Sequence, residues 1–349
     1  MRILVGILGA ALIALMLAEF FVAFMLPRRV KRDPRIARGI YRAVWRPWRA
    51  TARKVGPVLG DTLLGLFGPF ALLLELVVWT GGLMIGFAAL EWSGGGSFDF
   101  GFSAEAFLSA GFAPLSTWDR VLGLLEAATG VGVVFIVIGY LPPVYGGFSR
   151  REIAVSRLSN RAGVPPSAGA LLRRASDRSG WDELARYLDH AEEWTAELME
   201  THLSYPLLAY YRSQHLGQNW LAALTTIVDT SAVLVAALED GSQDAGAADL
   251  TFRLGRHALA DLAHQLAPRP RGERPSPSDD DVTALREILL DHDLPLVDDA
   301  TFRGRLRALR RTYEHHAAAL ATELALPLPA WLPDEESRIE RRLLPAHLR

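Results

Sequence analysis

Three long apolar runs are crowded into the first 147 residues of this 349-residue chain. Ile3 to Leu26 is broken only by Glu19, Leu63 to Leu90 only by Glu75, and Val121 to Tyr145 only by Glu126. Each is long enough for a helix to cross a hydrocarbon layer of about 30 Å, which takes about 20 residues. A soluble core would have to be very large to cover three such runs. The first run is not read as a secretory signal: its apolar core is too long, and it ends at Pro27-Arg28-Arg29 rather than at small residues. The fold expected is an all-α membrane protein followed by a second, more polar helical region. The chain has no cysteine, which excludes disulfides and thiolate metal sites.

Charge orients the runs. The segment "RRVKRDPRIARGIYRAVWRPWRATARK" carries one acid, Asp33, among its many arginines, and the third run leads into Arg150, Arg151, Arg157 and Arg161. Both ends read as cytoplasmic by the positive-inside rule. Glu91, Asp99, Glu105 and Asp119, with no base before Arg120, mark the intervening loop as external. The N-terminus is therefore expected outside and the C-terminal half in the cytoplasm. Ile36, Ile40, Tyr41, Val44, Trp45 and Trp48 recur at helical spacing within the basic segment, as in an amphipathic helix lying on an anionic bilayer. Its place beside a membrane helix favours lipid over nucleic acid.

A long helix, a loop holding a short helix, and a second long helix follow one another from residue 58 to 147. In that loop Phe98 to Leu108 reads as an approach and short helix, and Ser109-Ala110-Gly111-Phe112-Ala113-Pro114 follows. The order, together with "RVLGLLEAATGVGVVFIVIGYLPPVY", "LPRRV", "GYLPPVYGGFSRREIAVSRLSNRAGVPPSAGALLRR" and "THLSYPLLAYYRSQH", resembles a bacterial potassium-channel-like family with an extra N-terminal helix and a helical cytoplasmic region. The resemblance implies residues 1–27 as an N-terminal membrane helix and 28–57 as a basic interfacial segment. It implies 58–147 as a pore unit, with helices 60–91 and 120–146 around a re-entrant pore helix and loop at 98–118, and 148–349 as a cytoplasmic bundle. It further implies a bacterial inner membrane, a homotetramer, an inorganic ion as cargo, and Ser109, Ala110, Gly111, Phe112 and Ala113 at the filter. Gly130, Gly132 and Gly139 fall where an inner helix hinges, and close helix packing accounts for such small residues equally well.

The filter departs from T-x-G-Y-G-D. Ala113 stands at the second glycine, whose backbone conformations alanine does not reach freely. Pro114 replaces the aspartate and removes a carboxylate and an N–H together. A stacked potassium filter is not expected, so the two function classes are a pore of altered selectivity and a non-conducting membrane-anchored sensor or scaffold. Glu19, Glu75 and Glu126 are costly in lipid and are candidate functional or anchoring groups.

Beyond residue 148 the periodicity predicts helices over 181–201, 207–238, 250–266, 282–290 and 299–324, with a Pro/Arg/Ser/Asp-rich linker at 268–281. The 207–238 segment is apolar enough to pass for a span, yet Asn219 and Asp229 mark it as a bundle helix. His257, Asp261 and His264 share a helix face, but no His-Glu-x-x-His, P-loop or catalytic constellation occurs. No metal, cofactor, enzymatic activity or nucleic-acid partner is expected.

Overall fold

A computed structural model of the chain describes residues 1–24, 36–95, 98–111, 114, 116–215, 217–239, 241, 243–267, 273–290 and 294–333. The described residues are helical, without a strand, and divide into two compact units, Met1–Gly146 and Gly147–Arg349. Among the described residues, four helices are long and apolar enough to cross a membrane.

The first unit holds α1 (Arg2–Phe24), α2 (Ile36–Ala52), α3 (Pro57–Ser93), α4 (Phe100–Phe107) and the first part of α5 (Thr117–Ala162). α1 lies antiparallel to α3, and small residues set how closely. A Cβ on Gly9 would sit 2.7 Å from the Gly86 carbonyl oxygen, and one on Gly82 would sit 2.7 Å from Met16 Sδ. Gly82 and Gly86 form a Gly-x-x-x-Gly pair, the small-residue spacing that lets membrane helices approach. Phe20 meets Trp79 edge-on at 5.3 Å, and Met16, Leu83, Phe107 and Val133 complete the buried cluster. The outward faces of these helices stay apolar: Ile7, Leu15, Leu73, Val77, Val134 and Phe135 are all exposed. Only 22%, 33% and 28% of the apolar windows in α1, α3 and α5 are buried. Surfaces of that size are not left facing water, so these helices suit a multi-pass membrane protein.

α2 packs along the other half of α3. Trp45 stacks obliquely on Phe67 at 4.6 Å, Trp48 lies parallel to Phe70 at 4.8 Å, and the Trp48 indole donates to the Leu63 carbonyl at 2.8 Å. The sequence pattern places the tryptophan face of this helix in lipid; instead α3 covers it, and Trp45 is only 1% exposed. Aromatic periodicity marks a face that must be buried but does not say what buries it.

α5 continues through Pro142 and Pro143 to Ala162, where the sequence suggested a helix ending at 146. A proline removes one backbone bond and crowds the carbonyl four residues back. For Pro143 that residue is Gly139, which has no side chain to oppose a tilt of that carbonyl.

The second unit holds the end of α5, α6 (Ala168–Arg174), α7 (Trp181–Ser204), a 3-10 turn (Pro206–Tyr210), α8 (Trp220–Ala237), α9 (Gln243–Leu266), α10 (Asp279–Leu290), α11 (Asp299–Arg310) and α12 (Glu314–Leu324). α8 is the fourth apolar helix, and 94% of its window is buried by the helices of its own unit, which include α7, α9, α11 and α12. Two expected helices are broken. The 207–238 segment unwinds before Asn219, whose side chain caps α8 by accepting from the Ala222 N–H at 2.7 Å. Upstream, Arg151 donates to the Leu208 and Tyr211 carbonyls at 2.8 and 2.9 Å and fixes the 3-10 turn and the chain that leaves it. The 299–324 segment breaks at Arg311–Tyr313, which brings the buried Tyr313 hydroxyl to Asp229 at 2.6 Å.

The region 147–349 expressed alone is expected to be soluble and helical, because its apolar helix is already enclosed. Partition of the fragment wholly into detergent would make α8 a membrane span.

Candidate functional site: the short helix and the membrane carboxylates

α4 begins at Asp99, whose carboxylate accepts from the Gly101 and Phe102 N–H groups at 2.9 and 3.2 Å. Ser103, Ala106 and Phe107 form its buried face, at i, i+3 and i+4. The Ser103 hydroxyl lies 2.8 Å from the Met84 carbonyl of α3 and also bonds the Glu126 carboxyl of α5. A hydroxyl has one proton, so it donates to one of these oxygens and accepts from, or repels, the other. Gly130 completes the attachment: a Cβ there would lie 2.0 Å from the Phe107 carbonyl oxygen, so α5 meets the last turn of α4 backbone to backbone.

The chain leaves α4 through Ser109, at φ 55°, and Gly111, at φ 95°. Gly111 holds a conformation that other residues adopt only with strain. Ser109, Ala110 and Gly111 are exposed in the single chain. Phe112 and Ala113 lie outside the described residues, and Pro114 is half-buried. Gly132 and Gly139 face open space, so packing does not require glycine at either.

The other carboxylates separate along the fold. Glu75 accepts from the Tyr41 hydroxyl of α2 and is 5% exposed. It sits where α3 passes from packing on α1, near Trp79, to packing on α2, near Phe70. Glu75 and Glu126 thus serve different junctions. Glu91, expected in the external loop, belongs to the last turn of α3 and is 3% exposed. Sequence reading missed Tyr41 and Ser103 as partners; the i, i+3, i+4 face of "FSAEAF" was the available signal for Ser103.

In the second unit Asp229 is bound by Arg274 through two charge-assisted bonds, at 2.8 and 2.6 Å, and by Tyr313. Burial works against the Arg274 charge, but Asp229 outweighs it and holds the guanidinium above its ordinary value. Burial, reinforced by Asp229, likewise holds the Tyr313 hydroxyl well above the ordinary tyrosine range. A groove of about 270 Å³ runs between the α5 end and α7, lined by Arg150, Ile153, Arg157, Tyr187 and Trp194. Arg150 pairs with Glu197 there, which leaves the lining with mixed charge. His257 and Asp261 approach to 3.6 Å at the surface, and no metal-binding group of three forms among the described residues.

His202 is fully enclosed. Its Nδ1 lies 2.9 Å from the Leu198 carbonyl, which only accepts, so Nδ1 carries the proton. Nε2 faces an Arg151 donor at 3.3 Å and must present its lone pair. Burial, then the Arg151 charge, holds His202 well below its usual 6.5, against the pull of the Leu198 carbonyl. The unfolded chain takes up a proton below about pH 6.5 that the folded one refuses, so stability falls as pH drops, by up to ~1.4 kcal/mol per pH unit. Denaturant unfolding between pH 7.5 and 5.5 should show a shallower pH slope for His202→Gln. Equal slopes in the two proteins would rule out the buried neutral imidazole.

No protein-family model, curated protein or solved structure matches the chain.

Proposed function

We propose that the chain is a channel-like pore protein that assembles as a homotetramer in a bacterial inner membrane. The N-terminus lies outside and the helical second unit is a cytoplasmic domain for assembly or regulation. The observation that carries this reading is the attachment of α4. A short helix between two long apolar ones is fastened to α3 through Ser103 and Met84, and to α5 through Ser103 with Glu126 and through Phe107 with Gly130. A loop merely connecting two spans needs no such fastening. A re-entrant segment does, because backbone at membrane depth is tolerated only when protein or an aqueous path surrounds it. In the tetramer the exit of α4, Ser109 to Gly111, would face the symmetry axis, and an inorganic ion would pass.

The filter chemistry sets the selectivity. With Ala113 and Pro114 in place of glycine and aspartate, stacked carbonyl sites for potassium are not reproduced. Purified protein in liposomes should therefore pass ions without strong preference for potassium. Gly111→Val should reduce that flux strongly, because a branched side chain is strained at φ 95°. Strong potassium selectivity would refute the altered filter. Absence of flux for every cation and anion tried would favour the second reading, a non-conducting sensor or scaffold, to which the same two substitutions also point.

A further inference from the structure

α2 turns out to have three faces, not two. Tyr41, Trp45, Trp48 and Ala52, at i, i+4, i+7 and i+11, form the face held by α3. The Trp48 indole binds the Leu63 carbonyl, Tyr41 binds Glu75, and Gly60 lets the Ala52 carbonyl approach so closely that a Cβ there would lie 2.4 Å from it. Arg42, Arg46, Arg49 and Arg53 repeat the same spacing one residue later, which turns them about 100° around the helix. Arg53 keeps that register, since its N–H still bonds the Arg49 carbonyl at 3.1 Å. Ile40, Val44 and Pro47 occupy the other flank. The arginines therefore form a rail about 16 Å long, beside the α2–α3 contact rather than opposite it.

No acid occurs between Asp33 and Asp61. Among the described residues, Arg42, Arg46 and Arg53 make no ion pair with a carboxylate, and Arg46 and Arg53 are exposed. Guanidinium groups at one-turn intervals suit phosphate oxygens, which they grip in bidentate pairs.

We infer that the α2 rail is a binding site for acidic phospholipid headgroups, held rigidly on α3 so that bound lipid fixes the lower half of that helix. The inference rests on the membrane reading and not on conduction. Because Trp45 and Trp48 are already engaged by α3, lipid is held through phosphate contacts rather than by insertion of the tryptophans.

The test uses the full chain in nanodiscs of phosphatidylcholine, with and without phosphatidylglycerol. Native mass spectrometry should find phosphatidylglycerol retained on the wild-type chain after release. The combined variant Arg42→Gln, Arg46→Gln, Arg49→Gln, Arg53→Gln should lose it, at ~fivefold in affinity per basic residue removed. The four-lysine counterpart should retain part of the binding, which shows that a folded α2 remains. Phosphatidylglycerol should also raise the thermal unfolding midpoint of the wild type and not that of the four-glutamine variant. Equal retention by wild type and the four-glutamine variant would overturn the site, as would equal retention of phosphatidylcholine. A mixed-sequence DNA duplex that outcompetes phosphatidylglycerol vesicles for the protein would reassign the rail to nucleic acid.

Discussion

Arg274→Met is expected to cost the second unit about 3–5 kcal/mol, because it leaves the Asp229 carboxylate buried and without its cation. The Asp229 side chain is wholly enclosed, and that of Arg274 is 3% exposed. Arg274 also donates to the Pro329 carbonyl at 2.8 Å and lies 4.9 Å over the Trp331 ring. Its loss therefore frees the segment after α12 as well as stranding the acid. Tyr313 remains as a single donor to Asp229, too little to replace two charge-assisted bonds. Methionine fills similar volume without a charge, so the effect reads the ion pair more than a cavity. The double variant Asp229→Leu, Arg274→Met should regain much of the lost stability, since a buried pair exchanged for apolar groups is often neutral. Thermal or urea unfolding followed by circular dichroism measures both. A single variant as stable as the wild type would show that the pair does not hold the bundle.

Arg274 also shows where sequence reading stops. Asp229 was recognisable as a polar residue inside an apolar helix, and its presence separated α8 from the membrane helices. Its partner lay in a stretch rich in proline, serine and arginine that reads as a linker. No periodicity signals that a linker arginine is aimed into a core; the 45-residue separation is a tertiary fact. The three long apolar helices of the first unit were legible for the opposite reason. Their signal is length and composition, which the bilayer imposes without reference to any partner. Helix ends were read less well wherever one side chain decides them. Tyr313 breaks a helix to reach Asp229, and the Arg151 guanidinium holds Leu208 and Tyr211 outside the α-helix that their hydropathy suggested. The continuous α5 is the converse, since two prolines were stronger stop signals in sequence than in the folded chain.

Within the candidate site the same division holds. Glu126 stands out in sequence as a lone acid in a span, but its attachment to α4 needed Ser103, which the sequence places on the buried face of α4 without saying which carboxyl it meets. Gly130 was readable equally as a hinge of an inner helix and as a small residue for helix packing. Its environment makes it a contact residue, pressed against the Phe107 carbonyl, whereas Gly132 and Gly139 touch nothing that requires glycine.

Gly130→Val should consequently have the largest effect in the first unit. Even the first carbon of the new side chain would fall 2.0 Å from a backbone oxygen, and that oxygen belongs to a helix terminus that cannot rotate away as a side chain would. α4 must withdraw from α5, which pulls Phe107 from its place with Met16, Trp79 and Leu83 and stretches the bond between Ser103 and Glu126. Removal of a buried phenylalanine from its packing costs about 3–5 kcal/mol when the side chain is deleted outright, which sets the scale. The expected result is a lower unfolding midpoint in detergent and new protease cleavage close to Ser109. Gly132→Val, two residues along the same helix and facing open space, should leave both unchanged. If the protein conducts, flux should be lost in Gly130→Val and kept in Gly132→Val, unless position 132 lines the pore. Ser103→Ala should give a smaller change of the same kind, since it breaks the hydrogen bonds but leaves the close backbone contact. An unaltered midpoint and cleavage pattern in Gly130→Val would mean that α4 is not held by α5, and the fastening on which the pore reading stands would be gone.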